Sequence, residues 1–376
     1  MKRIAILGSS GSIGKQTLNV VRRYRDEFEV VALCVNSDVE ALKNQVAEFS
    51  PIVAGICDEG AFKAAKNDFP STQLIGGETA LTDIASRNDI DIIVVAVVGM
   101  CGLKAVMRAI EHGTTVALAN KESLVAGGRL VMDAAKKAGK EIRPIDSEHS
   151  AIWQCLRAGH KSDLKRIILT ASGGPFYGKT ADYLKSVTPE MAVNHPTWKM
   201  GRKISVDSAT MMNKALEIIE ARFLFDTDKI DYIIHPQSII HSMVEFADGS
   251  IVAQLASPNM ELPIQAALTY PNILPFEGAR FSFDKNITFS APDEKVFPLP
   301  GLAKQVLSVG GNAPCIFNAA NEACVKLFLD NKIAFSDISI NISDTLDKAD
   351  IIHEPTLDDI YETFETVYDK LMRDNS

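Results

Sequence analysis

The first apolar run of the chain, residues 3–7, ends on Gly8-Ser9-Ser10-Gly11-Ser12-Ile13-Gly14, and a helical pattern over about 14–24 follows at once. The glycines let the backbone turn tightly and approach a pyrophosphate, whose charge is met by free N–H groups and the positive end of the helix dipole. The spacing, G-x-x-G-x-x-G, is a variant of the dinucleotide fingerprint, and as a bare motif it also describes a tight turn with no ligand. Its setting favours the dinucleotide. Further strand-like runs at 30–35, 52–57, 92–98 and 115–118 alternate with helical patterns. Such alternation builds βαβ units and a parallel sheet covered on both faces. The first third is therefore expected to be a Rossmann-like, doubly wound α/β domain.

From Arg166 the texture changes. Strand-like segments at 167–170, 232–235, 243–246 and 251–255 lie closer together, the last two joined by Asp248-Gly249. They point to an α+β domain with antiparallel pairing. A proline-spotted stretch from Pro271 to Pro300 reads as a linker, and beyond it Leu, Ile, Val and Phe recur at three- and four-residue spacing, the pattern of a C-terminal helical bundle. The expected division is 1–146, 147–275, a linker over 276–300, and 301–376.

Charge and cysteines narrow the function. With 48 acidic against 39 basic residues and a net charge of −9, the chain lacks the clustered Lys and Arg of a general nucleic-acid binder. Any phosphate it binds must be met locally. The six cysteines are scattered without a C-x-x-C pair, so they are expected to be reduced thiols of a cytoplasmic protein rather than a disulfide framework or zinc site. Met1-Lys2-Arg3 before an apolar run resembles the start of a signal peptide, but Gly8 cuts that run short. The longest apolar stretch, 92–98, falls far short of the roughly 20 residues of a membrane span.

Several polar segments stand out. After the second strand, Asn36-Ser37-Asp38 carries no Lys or Arg for a 2′-phosphate, and on physics alone leans towards NAD. Ala119-Asn120-Lys121-Glu122-Ser123 follows a short strand, where ligands collect at the carboxyl edge of a parallel sheet. In Asp146-Ser147-Glu148-His149, strand alternation would put Asp146 and Glu148 on one side of an extended strand end, facing one cation, and such oxygen ligands suit Mg²⁺ or Mn²⁺. Taken singly, a D-x-E is also a common surface turn. In the stretch from Ser205 to Glu217, Ser208 is expected to cap a helix, and Asn213, Lys214 and Glu217 share one helical face. Apolar neighbours set that trio in a cleft rather than in an open surface salt bridge. Ser172-Gly173-Gly174 offers a hydroxyl and N–H groups to an anion, and His195-Pro196-Thr197-Trp198 an imidazole beside an indole.

At this point a family resemblance enters. G-S-S-G-S-I-G, A-N-K-E-S-L-V, D-S-E-H-S-A-I, S-G-G-P-F, H-P-T-W-K-M-G-R-K-I-S-V-D-S-A-T-M-M-N-K-A-L-E, H-P-Q-S-I-I-H-S-M-V and N-A-A-N-E-A closely resemble the 1-deoxy-D-xylulose 5-phosphate reductoisomerase family, in order from residue 1 to about 340. The resemblance implies an NADPH-binding N-terminal domain, a central catalytic and dimer-forming domain, and a C-terminal helical bundle. It implies a divalent metal (Mg²⁺, Mn²⁺ or Co²⁺) on Asp146, Glu148 and Glu217. Ser172, Ser208, Asn213 and Lys214 would meet the substrate phosphate, and Lys121, Ser147 and Glu148 its reacting end. His195 would lie against the substrate, with Trp198 closing over it. Ser10, Gly11, Ser12, Ile13, Asn120, Glu122 and Gly201 would contact NADPH, and Asn36, Ser37 and Asp38 its 2′-phosphate.

Two positions depart from the family pattern: Asn36-Ser37-Asp38, where Asp38 would repel a 2′-phosphate, and Ser10, where threonine is frequent. The implied chemistry is a metal-assisted rearrangement of the phosphosugar followed by hydride transfer from the nicotinamide. Two rivals share some of the same motifs: an NAD(P)-dependent sugar-phosphate dehydrogenase without rearrangement, and a non-catalytic dinucleotide sensor.

Overall fold

A computed structural model describes residues 1–376 except 195–199, 277, 279, 280, 285 and 376. The chain divides into two compact units. The first comprises Met1–Ser123, Arg129–Ser150 and Asn259–Gly278, and the second Leu124–Gly128, Ala151–Pro258 and Ala279–Ser376.

The first unit is built on β1 (Lys2–Leu7), α1 (Ser12–Arg23), β2 (Phe28–Val35), α2 (Val39–Phe49), β3 (Val53–Ile56), α3 (Glu59–Ala64), β4 (Gln73–Gly76), α4 (Ala80–Ala85), β5 (Ile92–Val95), α5 (Cys101–Glu111), β6 (Thr115–Leu118), α6 (Lys121–Ala138) and β7 (Ile142–Pro144). Its seven strands run parallel in the order β4-β3-β2-β1-β5-β6-β7. The central strands are β-branched and buried, as a sheet covered on both faces requires. The order reverses between β1 and β5, and ligands of open α/β sheets bind at such a switch point.

Helix α7 (Ser147–Cys155) leads into the second unit. There follow β8 (Leu164–Ala171), α8 (Ala181–Leu184), α9 (Pro189–Ala192), α10 (Arg202–Ala209), α11 (Met212–Phe225), β9 (Ile230–Ile234), β10 (Ile240–Phe246) and β11 (Ile251–Leu255). Its sheet runs β11-β10-β8-β9. Strands β10 and β11 form the expected hairpin, with Gly249 of the Asp248-Gly249 turn at φ +85. The sheet is mixed rather than wholly antiparallel, because β8 and β9 pair in parallel across the crossover that holds α8 to α11.

Helix α12 (Glu261–Thr269) returns to the first unit. Glu261 accepts from Arg23 at 2.7 Å and from Asn19 at 3.0 Å, and Arg143 donates to the Ala267 carbonyl at 2.9 Å. The sequence alone assigns this helix to the catalytic region; its charged first turn and its carbonyls find their partners on the sheet unit instead. Four helices, α13 (Leu299–Val309), α14 (Ala313–Leu329), α15 (Phe335–Asp347) and α16 (Leu357–Asp374), complete the second unit, the last opened by a Thr356/Asp359 capping box. Phe317, Phe328 and Phe335 share one core with α11 and β8.

Candidate active site

At the β1–α1 junction the glycines are required sterically. Gly8 has φ +87, and a Cβ there would stand 2.6 Å from the Ala96 carbonyl oxygen, while one on Gly14 would stand 2.3 Å from the Gly8 carbonyl oxygen. The main chain therefore fills the space that a side chain would take, leaving the start of α1 open to a ligand. Gly11 and Ser12 at that start are exposed, with Ser10 and Ile13 half-buried. The turn is fixed from behind: Gly8 and Ser9 donate their N–H groups to the Cys34 carbonyl at 2.8 and 2.9 Å, and the Ser9 hydroxyl donates to Gln45 at 2.6 Å.

Asn36, Ser37 and Asp38 are exposed at the carboxyl end of β2. The Asp38 carboxylate accepts the Ala41 N–H at 3.1 Å and caps α2. Its charge is thus partly committed to a helix N-terminus.

Asn120 and Glu122 hold the β6–α6 junction. Asn120 is buried, caps α6 through the Ser123 N–H, and donates to the carbonyls of Val97 and Gly99 at 3.0 Å and to Glu122 at 2.7 Å. These contacts lock the loop after β5 against the loop after β6, next to the glycine turn. Among the described residues, 96–99 and Gln45 are the parts of this junction that sequence reasoning does not single out. Gly99, shortly after a buried strand, is the available signal.

The carboxylate segment departs from expectation. Asp146 and Glu148 do not alternate on a strand, because β7 ends at Pro144 and α7 begins at Ser147. Asp146 instead accepts the Glu148 N–H at 3.2 Å as a helix cap, and Glu148 stands in the first turn. The two carboxylates still stand together at a helix start, with Asp146 held by the Glu148 N–H. Lys121 makes an ion pair with Asp146, Ser147 hydrogen-bonds to Glu148, and the buried His149 ring lies 3.6 Å from Asp146.

In the second unit, Ser208 is not a helix cap. It lies in the last turn of α10, and the next helix starts after Met211, a buried residue at φ +62. That left-handed residue turns the chain so that Asn213 and Lys214 fall in the first turn of α11. Glu217 receives hydrogen bonds from Asn213 at 2.5 Å and from Lys214. The Lys214 and Glu217 side chains are 3% and 1% exposed, so the pair is removed from water, at a cost of several kcal/mol per ion before its own attraction is counted.

The Ser172 loop packs on the same place. Gly173 and Gly174 have φ +85 and +69, and a Cβ on Gly174 would stand 2.5 Å from the Ser208 carbonyl oxygen. Ser172 accepts the Gly174 N–H at 3.2 Å. Ser172, Ser208, Asn213 and Lys214 therefore belong to adjoining segments of one fold unit. Gly201 caps α10. His195 and Trp198 lie outside the described residues.

Behind α10 stands a network that no local pattern in the chain announces. Asp207 accepts from Asn321 at 2.8 Å and from Lys203 at 3.1 Å, and Lys203 also reaches Glu322 at 2.9 Å. It joins α10 to the N-A-A-N-E-A segment of α14. The one hint is that segment's run of polar residues, Asn318, Asn321 and Glu322, set among the apolar residues of the helix.

Known proteins share this arrangement. A family model described as 1-deoxy-D-xylulose 5-phosphate reductoisomerase matches residues 4–128, and models of its C-terminal domains match 142–225 and 255–369. A reductoisomerase of that name from Thermoanaerobacter pseudethanolicus is 47% identical over 99% of both chains, and one from Clostridium perfringens is 45% identical over 98% of this chain and 100% of its own. The solved Zymomonas mobilis enzyme in complex with NADPH superposes with a TM-score of 0.94 at 40% identity, covering 99% of this chain and 98% of that one. A reductoisomerase solved with NADPH, fosmidomycin and magnesium gives 0.93 at 36% identity, covering 99% and 98%. The chain belongs to the 1-deoxy-D-xylulose 5-phosphate reductoisomerase family.

Proposed function

We propose that the protein converts 1-deoxy-D-xylulose 5-phosphate, NADPH and a proton into 2-C-methyl-D-erythritol 4-phosphate and NADP⁺, the reductive isomerisation of the non-mevalonate isoprenoid pathway. Family membership over the whole chain supports the activity. The observation that carries it at the level of residues is the buried Lys214–Glu217 pair, in the unit that also holds the Ser172 loop against Ser208. A plain dehydrogenase needs the glycine turn but has no use for a further desolvated carboxylate such as Glu217.

The residues fit both absent groups. The glycine cradle, which any Cβ would fill, suits a pyrophosphate. The all-oxygen donor set of Asp146, Glu148 and Glu217 suits Mg²⁺ or Mn²⁺, and its assignment to one ion rests on the family resemblance. When bound, the cation supplies Lewis-acid stabilisation of negative charge and NADPH supplies the hydride.

The chain's own groups do the rest. Ser172, Ser208, Asn213 and the Lys214 ammonium meet the phosphate and fix the substrate's position. The Lys121 ammonium opposes charge developing on substrate oxygens, and Glu148, steadied by Ser147, takes and returns a proton. His195 and Trp198 complete this assignment by covering the substrate.

The same reading includes a homodimer in the cytoplasm and the domain division given above. The edge strand β11, with Ile251 and Leu255 exposed, supports a second copy as partner. Among the described residues, no helix is long and apolar enough to cross a membrane. The test is NADPH oxidation with 1-deoxy-D-xylulose 5-phosphate, with the product identified by NMR. Turnover should vanish in EDTA and return with Mg²⁺ or Mn²⁺. Metal-independent turnover, or a reduced but unrearranged sugar, would refute it.

A further inference from the structure

Cys34 is the seventh residue of β2 and Cys57 follows directly on β3, the next strand of the sheet. Their sulfurs lie 3.7 Å apart. Cys34 is fully buried, whereas Cys57 is half-buried. Gly55 makes room for the pair: a Cβ there would stand 2.8 Å from the Cys34 sulfur and displace it. A disulfide has an S–S length of about 2.05 Å, so closure draws the sulfurs together by less than about 2 Å, and because Cys34 is in register with Gly55, two residues before Cys57, it moves the backbone of the strand ends as well.

We propose that Cys34 and Cys57 are a reversible modification site, closing to a disulfide in the presence of a hydroperoxide and weakening the binding of NADPH. The effect on NADPH rests on the assignment of the glycine turn as the dinucleotide site; the cross-link does not.

The other thiols set the contrast. Burial pushes Cys155 up to about 11 and Cys315 and Cys324 up to about 12, and it raises the thiol of Cys101 as well. Cys57 is held below its ordinary range by its hydrogen bond with Cys34, while that same contact and burial raise Cys34. The reactive form of a cysteine is the thiolate, so Cys57 is the sulfur poised to attack.

The chemistry balances. The Cys57 thiolate attacks one oxygen of the hydroperoxide, breaking the O–O bond and giving a sulfenic acid and, after protonation, an alcohol or water. The Cys34 sulfur then attacks the Cys57 sulfur, the S–O bond breaks, and water leaves with the Cys34 proton. The two sulfurs together lose two electrons to the peroxide. A dithiol reverses the step.

The main chain carries the consequence to the nucleotide. The Cys34 carbonyl accepts both the Gly8 and Ser9 N–H groups, and the N–H groups of Cys57 and Asp58 donate to the carbonyls of Val35 and Asn36 at 3.0 and 2.9 Å. Drawing the sulfurs together displaces the strand ends that hold the glycine turn and the Asn36-Ser37-Asp38 segment.

The experiment treats the whole protein with hydrogen peroxide or with dithiothreitol, maps its peptides, and follows NADPH binding by fluorescence. The oxidised protein should yield the Cys34 and Cys57 peptides joined and 2 Da lighter than their sum. Its dissociation constant for NADPH should rise at least fivefold and recover in dithiothreitol. Cys57→Ser and Cys34→Ala should each bind NADPH like the reduced protein, and after peroxide neither should yield joined peptides or show the rise in dissociation constant. Cys57 as a sulfinic acid with Cys34 still free, or joined to Cys101, overturns the proposal. A joined pair with unchanged affinity overturns the coupling. If the reduced protein fails to bind NADPH, the glycine-turn assignment falls, while the peptide map still decides the cross-link.

Discussion

On the assignment proposed above, the two fold units prepare for phosphate in opposite ways. In the first, the main chain would be the binding surface: Gly8 and Gly14 lack side chains so that backbone can cross backbone, and the start of α1 presents N–H groups. In the second, the surface is made of charged side chains out of water, with Lys214 and Glu217 on α11 and the Asp207 network behind α10. A site made of backbone is neutral before the ligand arrives, and its weak point is bulk. A site made of buried ions must hold each charge against a neighbour, and its weak point is the loss of one partner. The difference predicts which kind of substitution each region tolerates.

The largest effect is expected from Glu217→Gln, which keeps the shape of the side chain and removes its charge. Turnover should fall on the order of 10³-fold, the scale of losing one well-placed charged group, with a circular dichroism spectrum like the parent's and a lowered melting temperature, because the buried Lys214 ammonium loses the charge of Glu217. Full activity would sink the metal assignment.

Next comes Gly14→Ala, whose Cβ would meet the Gly8 oxygen and the Ser9 Cα at 2.3 and 2.5 Å. Overpacking of this kind costs about 1–3 kcal/mol, so the KM for NADPH should rise by roughly tenfold or more while the KM for substrate stays put. An equal rise in both would erase the contrast between the units. The counterpart is Gly174→Ala. Its positive φ and the 2.5 Å approach to Ser208 should raise the KM for the phosphosugar several-fold and leave the KM for NADPH alone.

A smaller loss is expected at the network. Asn321→Ala leaves the buried Asp207 one hydrogen bond short, costing about 1–3 kcal/mol of stability in denaturant titration. Asn321→Asp should be worse, since it sets two carboxylates together. The smallest change is expected for Asp38→Ala, which removes the α2 cap at about 1 kcal/mol and the negative charge proposed to face the 2′-phosphate. Melting temperature should drop slightly as the preference for NADPH over NADH rises. A parent enzyme that already prefers NADPH a hundredfold in kcat/KM would show that Asp38 exerts no such repulsion.

Much of the molecule is legible in the order of its residues. The glycine spacing after a buried strand, the alternation of strands and helices, and the three-residue step from Lys214 to Glu217 are short-range patterns set by the helix and strand periods. Other features escape such patterns for identifiable reasons. D-x-E fits strand alternation as well as a helix start, so Asp146 and Glu148 read equally well as strand residues, and only the pairing of β7, which stops at Pro144, separates the two. Ser208 reads as a cap because nothing local announces that Met211 adopts φ +62. A non-glycine residue is held there by the core that packs around its side chain, and that core is assembled from distant segments.

The sequence by itself thus determined the glycine turn, the parallel sheet, the helical spacing of Asn213, Lys214 and Glu217 and the family, because each is written in residues close together along the chain. The tertiary structure alone decided that α12 joins the sheet unit, that Lys121 pairs with Asp146 and Asn321 with Asp207, and that two cysteines 23 residues apart bring their sulfurs within 3.7 Å. Those outcomes depend on which distant surfaces bury one another, and no local pattern encodes that choice.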